Sequence, residues 1–288
     1  MRLFAFGLGY TAARFVAHVR KRFATVCGTV RTEESASTLQ GHGVEAFVVG
    51  RDDDAIRSAL RPSSALLVSA PPDAEGDPGI RLLGNAIAES SIRWIGYLST
   101  TGVYGDCGGH WIDEGAPAQP QTEVSTWRLA AENKWLRLGE ETGRPVQVFR
   151  LSGIYGPRRN ALANLRNGTA RRIVKPGQVF NRIHVDDIAT TLLASMDRPR
   201  AGGVYNLADD EPAPPQDVVA YAASLLGREP PPEIAFEDAA LGPVAARFYG
   251  ENKRVANRLI KDELGVKLAY PNYREGLQAL YAAGEGRA

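Results

Sequence analysis

Arg2-Leu3-Phe4-Ala5-Phe6-Gly7-Leu8-Gly9-Tyr10-Thr11-Ala12 is the stretch from which the rest of the chain is read. A short apolar run stops at a GxGxxA turn, after which apolar residues recur at helical spacing as Ala12, Phe15, Val16 and Val19. A second apolar strand, Thr25 to Val30, follows at the βαβ distance. Glycines between a strand and a helix allow a tight turn and let backbone approach a pyrophosphate, which the free N–H groups and dipole of the helix attract. Gly7, Leu8, Gly9, Tyr10 and Thr11 are therefore the expected dinucleotide-binding turn.

The end of the second strand selects the cofactor. NAD sites usually place Asp or Glu there for the ribose hydroxyls, whereas this chain reads Gly28-Thr29-Val30-Arg31-Thr32. A guanidinium and two hydroxyls, from Thr29, Arg31 and Thr32, suit a 2′-phosphate, so NADP is expected ahead of NAD. The competing reading leaves Arg31 solvated and gives the ribose to Glu33 or Glu34.

The 288 residues, 44% hydrophobic and 23% charged, describe an ordinary globular chain large enough for one big domain with a smaller appendage. A net charge of +1 provides no field for nucleic acid or an anionic membrane, so neither is an expected partner. Cys27 and Cys107 stand apart and suggest free thiols in a reducing compartment. No cluster has metal-ligand spacing, and no segment reads as a signal peptide or membrane span. The expectation is a soluble, cytoplasmic protein without a metal.

Alternation continues with strands at Val44–Val49, Ala65–Ser69, Ile92–Ser99 and Val146–Leu151, and helices at Ile80–Ala88 and Ser125–Thr142. That order predicts an α/β, doubly wound parallel sheet, with Ser69-Ala70-Pro71 on the ligand edge. Beyond Pro157 the reading is a short helix at 160–167, a hairpin of 171–175 with 179–184 around Pro176-Gly177, a helix at 185–196 and a strand at 204–207. Helices follow near 216–226, 253–264 and 273–283. The nucleotide-binding domain is expected at 1–157, completed by about 181–207. A small, mostly helical substrate lobe is expected from 158–180 and 208–288.

Several separated segments now resemble one family. They are the Gly7–Ala12 turn, Leu98-Ser99-Thr100-Thr101-Gly102-Val103-Tyr104-Gly105, Arg150-Leu151-Ser152-Gly153-Ile154-Tyr155-Gly156-Pro157, Asn181-Arg182-Ile183-His184-Val185-Asp186-Asp187-Ile188-Ala189 and Val204-Tyr205-Asn206-Leu207-Ala208-Asp209-Asp210. Together they resemble the extended short-chain dehydrogenases/reductases, the NAD-dependent epimerases/dehydratases, over nearly the whole chain. The resemblance implies a Rossmann domain holding NAD(P). It also implies that Ser99, Thr100, Leu151, Ser152 and Ile154 face nicotinamide and substrate, Thr100 binding the substrate oxygen, and it suggests a homodimer through the helices flanking Ile92–Ser99.

One part of the pattern departs. The family's general-acid Tyr falls on Val124, and the Lys that lowers its pKa and holds the nicotinamide ribose falls on Arg128. Valine has no titratable proton, and an arginine holds hydroxyls without relaying one. Trp127-Arg128 is similar to the atypical subgroup that often lacks the Tyr-Lys pair. Tyr104, Tyr155, Glu123 and Asp106 read as packing rings and loop carboxylates, and His184 as a hydrogen-bonding tie between the lobes.

Arg158, Arg159, Arg166, Arg171, Arg172, Lys175 and Arg182 gather in the second-lobe segment, which suits an anionic substrate such as a nucleotide-linked sugar, or else is a solvated basic face. Two functions stay open: an NADP-dependent oxidoreductase or epimerase of atypical type, and a catalytically silent NADP-binding sensor or scaffold.

Overall fold

The computed structural model describes residues 1–286. Its first half alternates strand and helix: β1 (Arg2–Phe6), α1 (Tyr10–Val19), β2 (Thr25–Val30), α2 (Glu33–Gly41), β3 (Glu45–Val48), α3 (Asp53–Leu60), β4 (Ala65–Val68), α4 (Pro78–Ala88) and β5 (Ile95–Thr100). The second half carries β6 (Trp111–Ile112), α5 (Glu123–Thr142), β7 (Val146–Leu151), β8 (Gly153–Tyr155), α6 (Ala161–Arg166), β9 (Arg172–Val174), β10 (Arg182–His184), α7 (Val185–Asp197) and β11 (Gly203–Leu207). It ends with α8 (Pro215–Leu225), β12 (Glu233–Ala235), α9 (Pro243–Tyr249), β13 (Arg254–Val255), α10 (Arg258–Asp262) and α11 (Tyr273–Ala282).

One seven-stranded sheet, in the order β11-β7-β5-β4-β1-β2-β3, organises these elements, and every strand pair in it is parallel. The order reverses beside β1, which places a crevice over the carboxyl ends of β1 and β4. Parallel strands covered on both faces need continuous apolar runs, and β4 and β7 are buried along their whole length. α1 and α7 cover one face with Phe15, Val16, Ile188 and Leu192, while α3, α4 and α5 cover the other with Ile56, Leu60, Leu83, Ile87 and Trp135. Burying each such Leu, Ile or Phe contributes about 1.5–3 kcal/mol.

Helix ends follow local chemistry. Asp77 accepts the Ile80 N–H ahead of Pro78, the first residue of α4, and the Thr122 hydroxyl oxygen accepts the Ser125 N–H to start α5. Gly143, at φ 66°, ends α5 in the left-handed conformation.

A third apolar cluster gathers Leu162, Val218, Ala222, Tyr273, Leu277 and Leu280 from α6, α8 and α11. Ile260, Leu264 and Val266, from the sequence range expected to form the lobe, pack instead with α1 and α7 on the sheet. The hairpin expected at 171–184 does not form. The chain turns there, with the Gln178 N–H on the Lys175 carbonyl at 3.1 Å, but β9 pairs with β12 and β10 with β8, both parallel. The helix expected from Lys253 begins only at Arg258, because the Arg254 and Ala256 N–H groups go to the carbonyls of His110 and Ile112 in a ladder of β13 with β6.

Candidate functional site

The glycine turn is held from below. Gly7 sits at φ +91°, and a Cβ there would lie 2.7 Å from the Ala70 nitrogen, so no other residue fits. The Thr29 hydroxyl oxygen accepts the Gly7 N–H at 2.9 Å, and the Thr29 carbonyl accepts the Leu8 N–H at 2.8 Å. Thr29 is 1% exposed, which corrects the expectation that it meets a 2′-phosphate: its hydroxyl shapes the turn. Leu8 leans over Gly28, where a Cβ would be 2.1 Å from its Cδ1. The Ser69 and Ala70 N–H groups end β4 on the Phe6 carbonyl at 2.9 and 3.2 Å, and Pro71 is exposed beyond them.

Above the turn the structure is open. Gly9 is exposed with no atom within 4 Å of an added Cβ, and α1 has no side-chain cap and no acid in its first turn. Thr11 is buried, and the Tyr10 hydroxyl donates to the Pro157 carbonyl at 3.1 Å. Arg31 is exposed and makes no hydrogen bond or ion pair among the described residues. Thr32 caps α2, its oxygen accepting the Ser35 N–H at 3.3 Å. Glu33 is paired with Arg51 at 2.6 Å, while Glu34 borders an open cleft of about 380 Å³ shared with Leu8, Val30, Ser35, Thr38 and Leu39. An uncapped helix start, an obligatory glycine and a free arginine that follows Val30 of the cleft fit a phosphorylated dinucleotide.

At the end of β5 the hydroxyls diverge. Ser99 donates to the carboxylate of Glu132, which forms a buried pair with Arg150 at 2.8 Å. The Arg150 guanidinium lies 4.8 Å over the Tyr104 ring, and the Tyr104 hydroxyl donates to Asn206 Oδ1 at 2.8 Å. Ser99 is thus part of a buried network and does not face a nicotinamide, a second correction. Thr100 points the other way: its oxygen accepts the Gly102 N–H at 3.1 Å and its hydroxyl proton stays available.

Arg128 donates to the Leu98 carbonyl at 2.8 Å, with Nε buried and unpartnered. One N–H of its guanidinium is drawn onto β5, and Nε is left without a protein acceptor. Asp77 and Tyr97 lie in its field, and burial raises the pKa of both. Val124 exposes an aliphatic side chain at the first turn of α5.

At the end of β7, Leu151 and Ser152 are buried and Ile154 is half-buried. The Ser152 hydroxyl has no partner, an orphan that a polar group of a bound cofactor would satisfy. His184 caps α7, its Nδ1 accepting the Asp186 N–H at 3.2 Å, with rings of Tyr270 at 3.9 Å and Tyr155 at 5.1 Å. Burial, and secondarily the charge of Arg14, lower its pKa to about 4 against the pull of Asp186. The tie expected of His184 is made by Asp187, which accepts the Ala269 and Tyr270 N–H groups at 2.7 and 3.0 Å.

The model of the NAD dependent epimerase/dehydratase family matches residues 79–208, from α4 through the end of β11. Over that stretch the chain is similar to the NAD-dependent epimerase/dehydratase family. It is 47% identical to a functionally unknown conserved protein from Silicibacter pomeroyi DSS, with a TM-score of 0.89 and 99% of both chains covered. Protein YeeZ of Escherichia coli (strain K12) is 26% identical over 283 residues, 92% of this chain and 95% of that protein. The dTDP-glucose 4,6-dehydratase of Bacillus anthracis, solved in complex with NAD, shares the fold at TM-score 0.75 and 18% identity, over 99% of this chain and 97% of its own.

Within this epimerase/dehydratase frame the seven cations separate into two groups. Arg171 donates to the Ala240 carbonyl at 2.7 Å, Arg172 pairs with Glu233 at 2.7 Å, Lys175 donates to the Tyr249 carbonyl at 2.5 Å and Arg182 to the Phe180 carbonyl at 3.0 Å. These four fasten 171–182 onto neighbouring chain. Arg158, Arg159 and Arg166 are exposed with side chains paired to no carboxylate among the described residues, although the Arg158 backbone N–H donates to Glu285 at 2.7 Å, and Arg159 lies 5.8 Å over the Tyr10 ring. The missed residues, Glu132 and Asn206, left one sequence signal: a charged Arg150 inside an apolar strand demands a buried partner. Among the described residues no three His, Cys, Asp or Glu side chains gather as a metal site, and no helix is long and apolar enough to cross a membrane.

Proposed function

We propose that the protein is a cytoplasmic NADP-dependent oxidoreductase or epimerase of atypical type. The observation that carries this reading is the open, uncapped start of α1 together with Arg31, two residues past the turn's partner Thr29, an exposed guanidinium with no protein anion on it. The backbone of Gly7 to Thr11 would hold the pyrophosphate, with Tyr10 fastening the turn to Pro157. Arg31 would hold the 2′-phosphate. Ser69 to Pro71 would line the ribose side, and the free Ser152 hydroxyl the nicotinamide end. When bound, the dinucleotide supplies a hydride donor or acceptor.

Thr100 is the group best placed to act on substrate. Its oxygen is fixed by the Gly102 N–H, which leaves its proton for a substrate oxygen. Val124 donates nothing, so the proton comes from water or the substrate. Positioning alone accounts for a large share of many barriers, which allows hydride transfer without the tyrosine. Arg158, Arg159 and Arg166 keep an anionic substrate group in the proposal.

The silent-binder reading is favoured by Val124, which has no titratable proton. Incubating the protein with NADPH and a panel of carbonyl compounds and sugar nucleotides separates the two. Substrate-dependent loss of NADPH absorbance supports the enzyme, and tight NADPH binding without turnover supports the sensor or scaffold.

A further inference from the structure

Gly156-Pro157-Arg158-Arg159 forms a tight turn seated on the first residue of α1. The Gly156 N–H donates to the Arg159 carbonyl at 3.0 Å and the Arg159 N–H to the Gly156 carbonyl at 3.1 Å, so Pro157 and Arg158 take the two central positions. Tyr10 opens α1, and its hydroxyl donates to the Pro157 carbonyl at 3.1 Å. A Cβ on Gly156 would stand 2.7 Å from that hydroxyl oxygen and 2.7 Å from Val185 Cγ1, so the turn lies directly against α1 and α7.

The turn is held in a form that its own residues do not favour. Arg158 sits at φ 63°, the one non-glycine residue at positive φ among the described residues, where a type II turn prefers glycine. Glu285 holds it there, its carboxylate accepting the Arg158 N–H at 2.7 Å together with Asn160 Nδ2. That carboxylate makes no ion pair with Arg159.

Two guanidinium groups lie within electrostatic reach of the Tyr10 hydroxyl, and they differ. Arg14 is paired with Asp186 at 2.9 Å. Arg159 is exposed, lies 5.8 Å over the Tyr10 ring, and its side chain has no hydrogen bond or ion pair among the described residues. Such stacking places a positive charge and leaves its N–H donors free. The ring belongs to the residue that carries the first open N–H of α1. The Ala13 N–H is taken by the Gly9 carbonyl at 2.9 Å, whereas those of Tyr10, Thr11 and Ala12 have no acceptor among the described residues.

We infer that Arg159 is a further cofactor-binding residue, reaching past the Tyr10 ring to the pyrophosphate that the open N–H groups of α1 receive. The inference rests on the reading of Gly7 to Thr11 as the dinucleotide turn. A guanidinium gives phosphate two parallel N–H groups at about 2.7–2.9 Å and a full charge that backbone amides lack. The two free arginines then divide the cofactor between them. Arg31 meets the 2′-phosphate and chooses between NADPH and NADH, and Arg159 meets the pyrophosphate that both carry. Arg158 and Arg166 remain for a substrate anion.

The test is fluorescence titration of the full chain, Arg159→Met, Arg159→Lys and Arg31→Ala with NADPH and with NADH. Arg159→Met keeps an aliphatic side chain by the Tyr10 ring and removes the charge. It should weaken NADPH and NADH by the same factor, about tenfold, with Tm unchanged. Arg159→Lys should recover part of the loss, and Arg31→Ala should weaken NADPH alone. Tight cofactor binding untouched by Arg159→Met overturns the assignment of Arg159 and leaves the dinucleotide reading standing. So does a loss confined to NADPH, or an Arg159→Lys variant no better than Arg159→Met. Failure of the unaltered chain to bind either cofactor overturns the reading of the turn itself, and the inference with it.

Discussion

Two edges of the same sheet are built on different principles. At the β1–α1–β2 edge the shape is a backbone matter: Gly7 must be glycine, Gly9 faces open space, and the helix start is left bare. At the β5–α5–β7 edge it is a side-chain matter: Ser99, Glu132, Arg150, Tyr104 and Asn206 form one buried network, with Thr100 and Val124 above it. The first edge leaves the bare helix start that the proposed anion site requires. The second is held beneath by buried charge, and Val124 adds no titratable group to it.

The sharpest way to break this contrast is at its buried charge. Glu132→Ala leaves Arg150 without its carboxylate, 8% exposed, and should cost about 3–5 kcal/mol in denaturant unfolding. A loss below about 1 kcal/mol would mean that the network is ornamental.

The joint between α1 and α7 comes next, where Arg14 pairs with Asp186 beside His184. Burial holds the folded His184 pKa at about 4, below its ordinary 6.5, so in that window the unfolded chain binds the extra proton. Stability therefore rises with pH across the window and falls on acidification, by about 3 kcal/mol from this group. Denaturation midpoints from pH 4 to 7 should show the slope, and His184→Gln should flatten it.

A smaller effect tests the backbone edge. Gly7→Ala places a side chain at φ +91° against Ala70, which should cost about 1–3 kcal/mol and displace the turn. NADPH affinity should fall with it. Thr29→Val removes the hydroxyl that accepts the Gly7 N–H and should cost about 1 kcal/mol, with NADPH and NADH affinities reduced by the same factor. A selective loss of NADPH would instead return Thr29 to the 2′-phosphate.

The same contrast explains what was legible in the residues. The glycine turn, the strand-helix alternation and the family segments were readable because they depend on local backbone geometry and period. Ser99 was misassigned although its neighbour held the answer: successive strand residues point to opposite faces, so Ser99 and Thr100 could not both meet one ligand. The β5–β7 register sets Ser99 directly against Arg150, a pairing invisible in one dimension. The hairpin at 171–184 failed for the same reason, since β9 and β10 each take a partner from distant sequence. Thr29 looked like a phosphate ligand because nothing local revealed that Gly7 would claim its oxygen.

We propose that the bare α1 terminus and Arg31 together receive a dinucleotide carrying a 2′-phosphate. Fluorescence titration of the purified chain with NADPH and with NADH, repeated on Arg31→Ala, tests it most directly. NADPH is expected to bind about tenfold or more tighter than NADH, and to fall to the NADH value in the variant. Equal, weak binding of both cofactors by the unaltered protein would contradict it and leave the glycine turn a fold element alone.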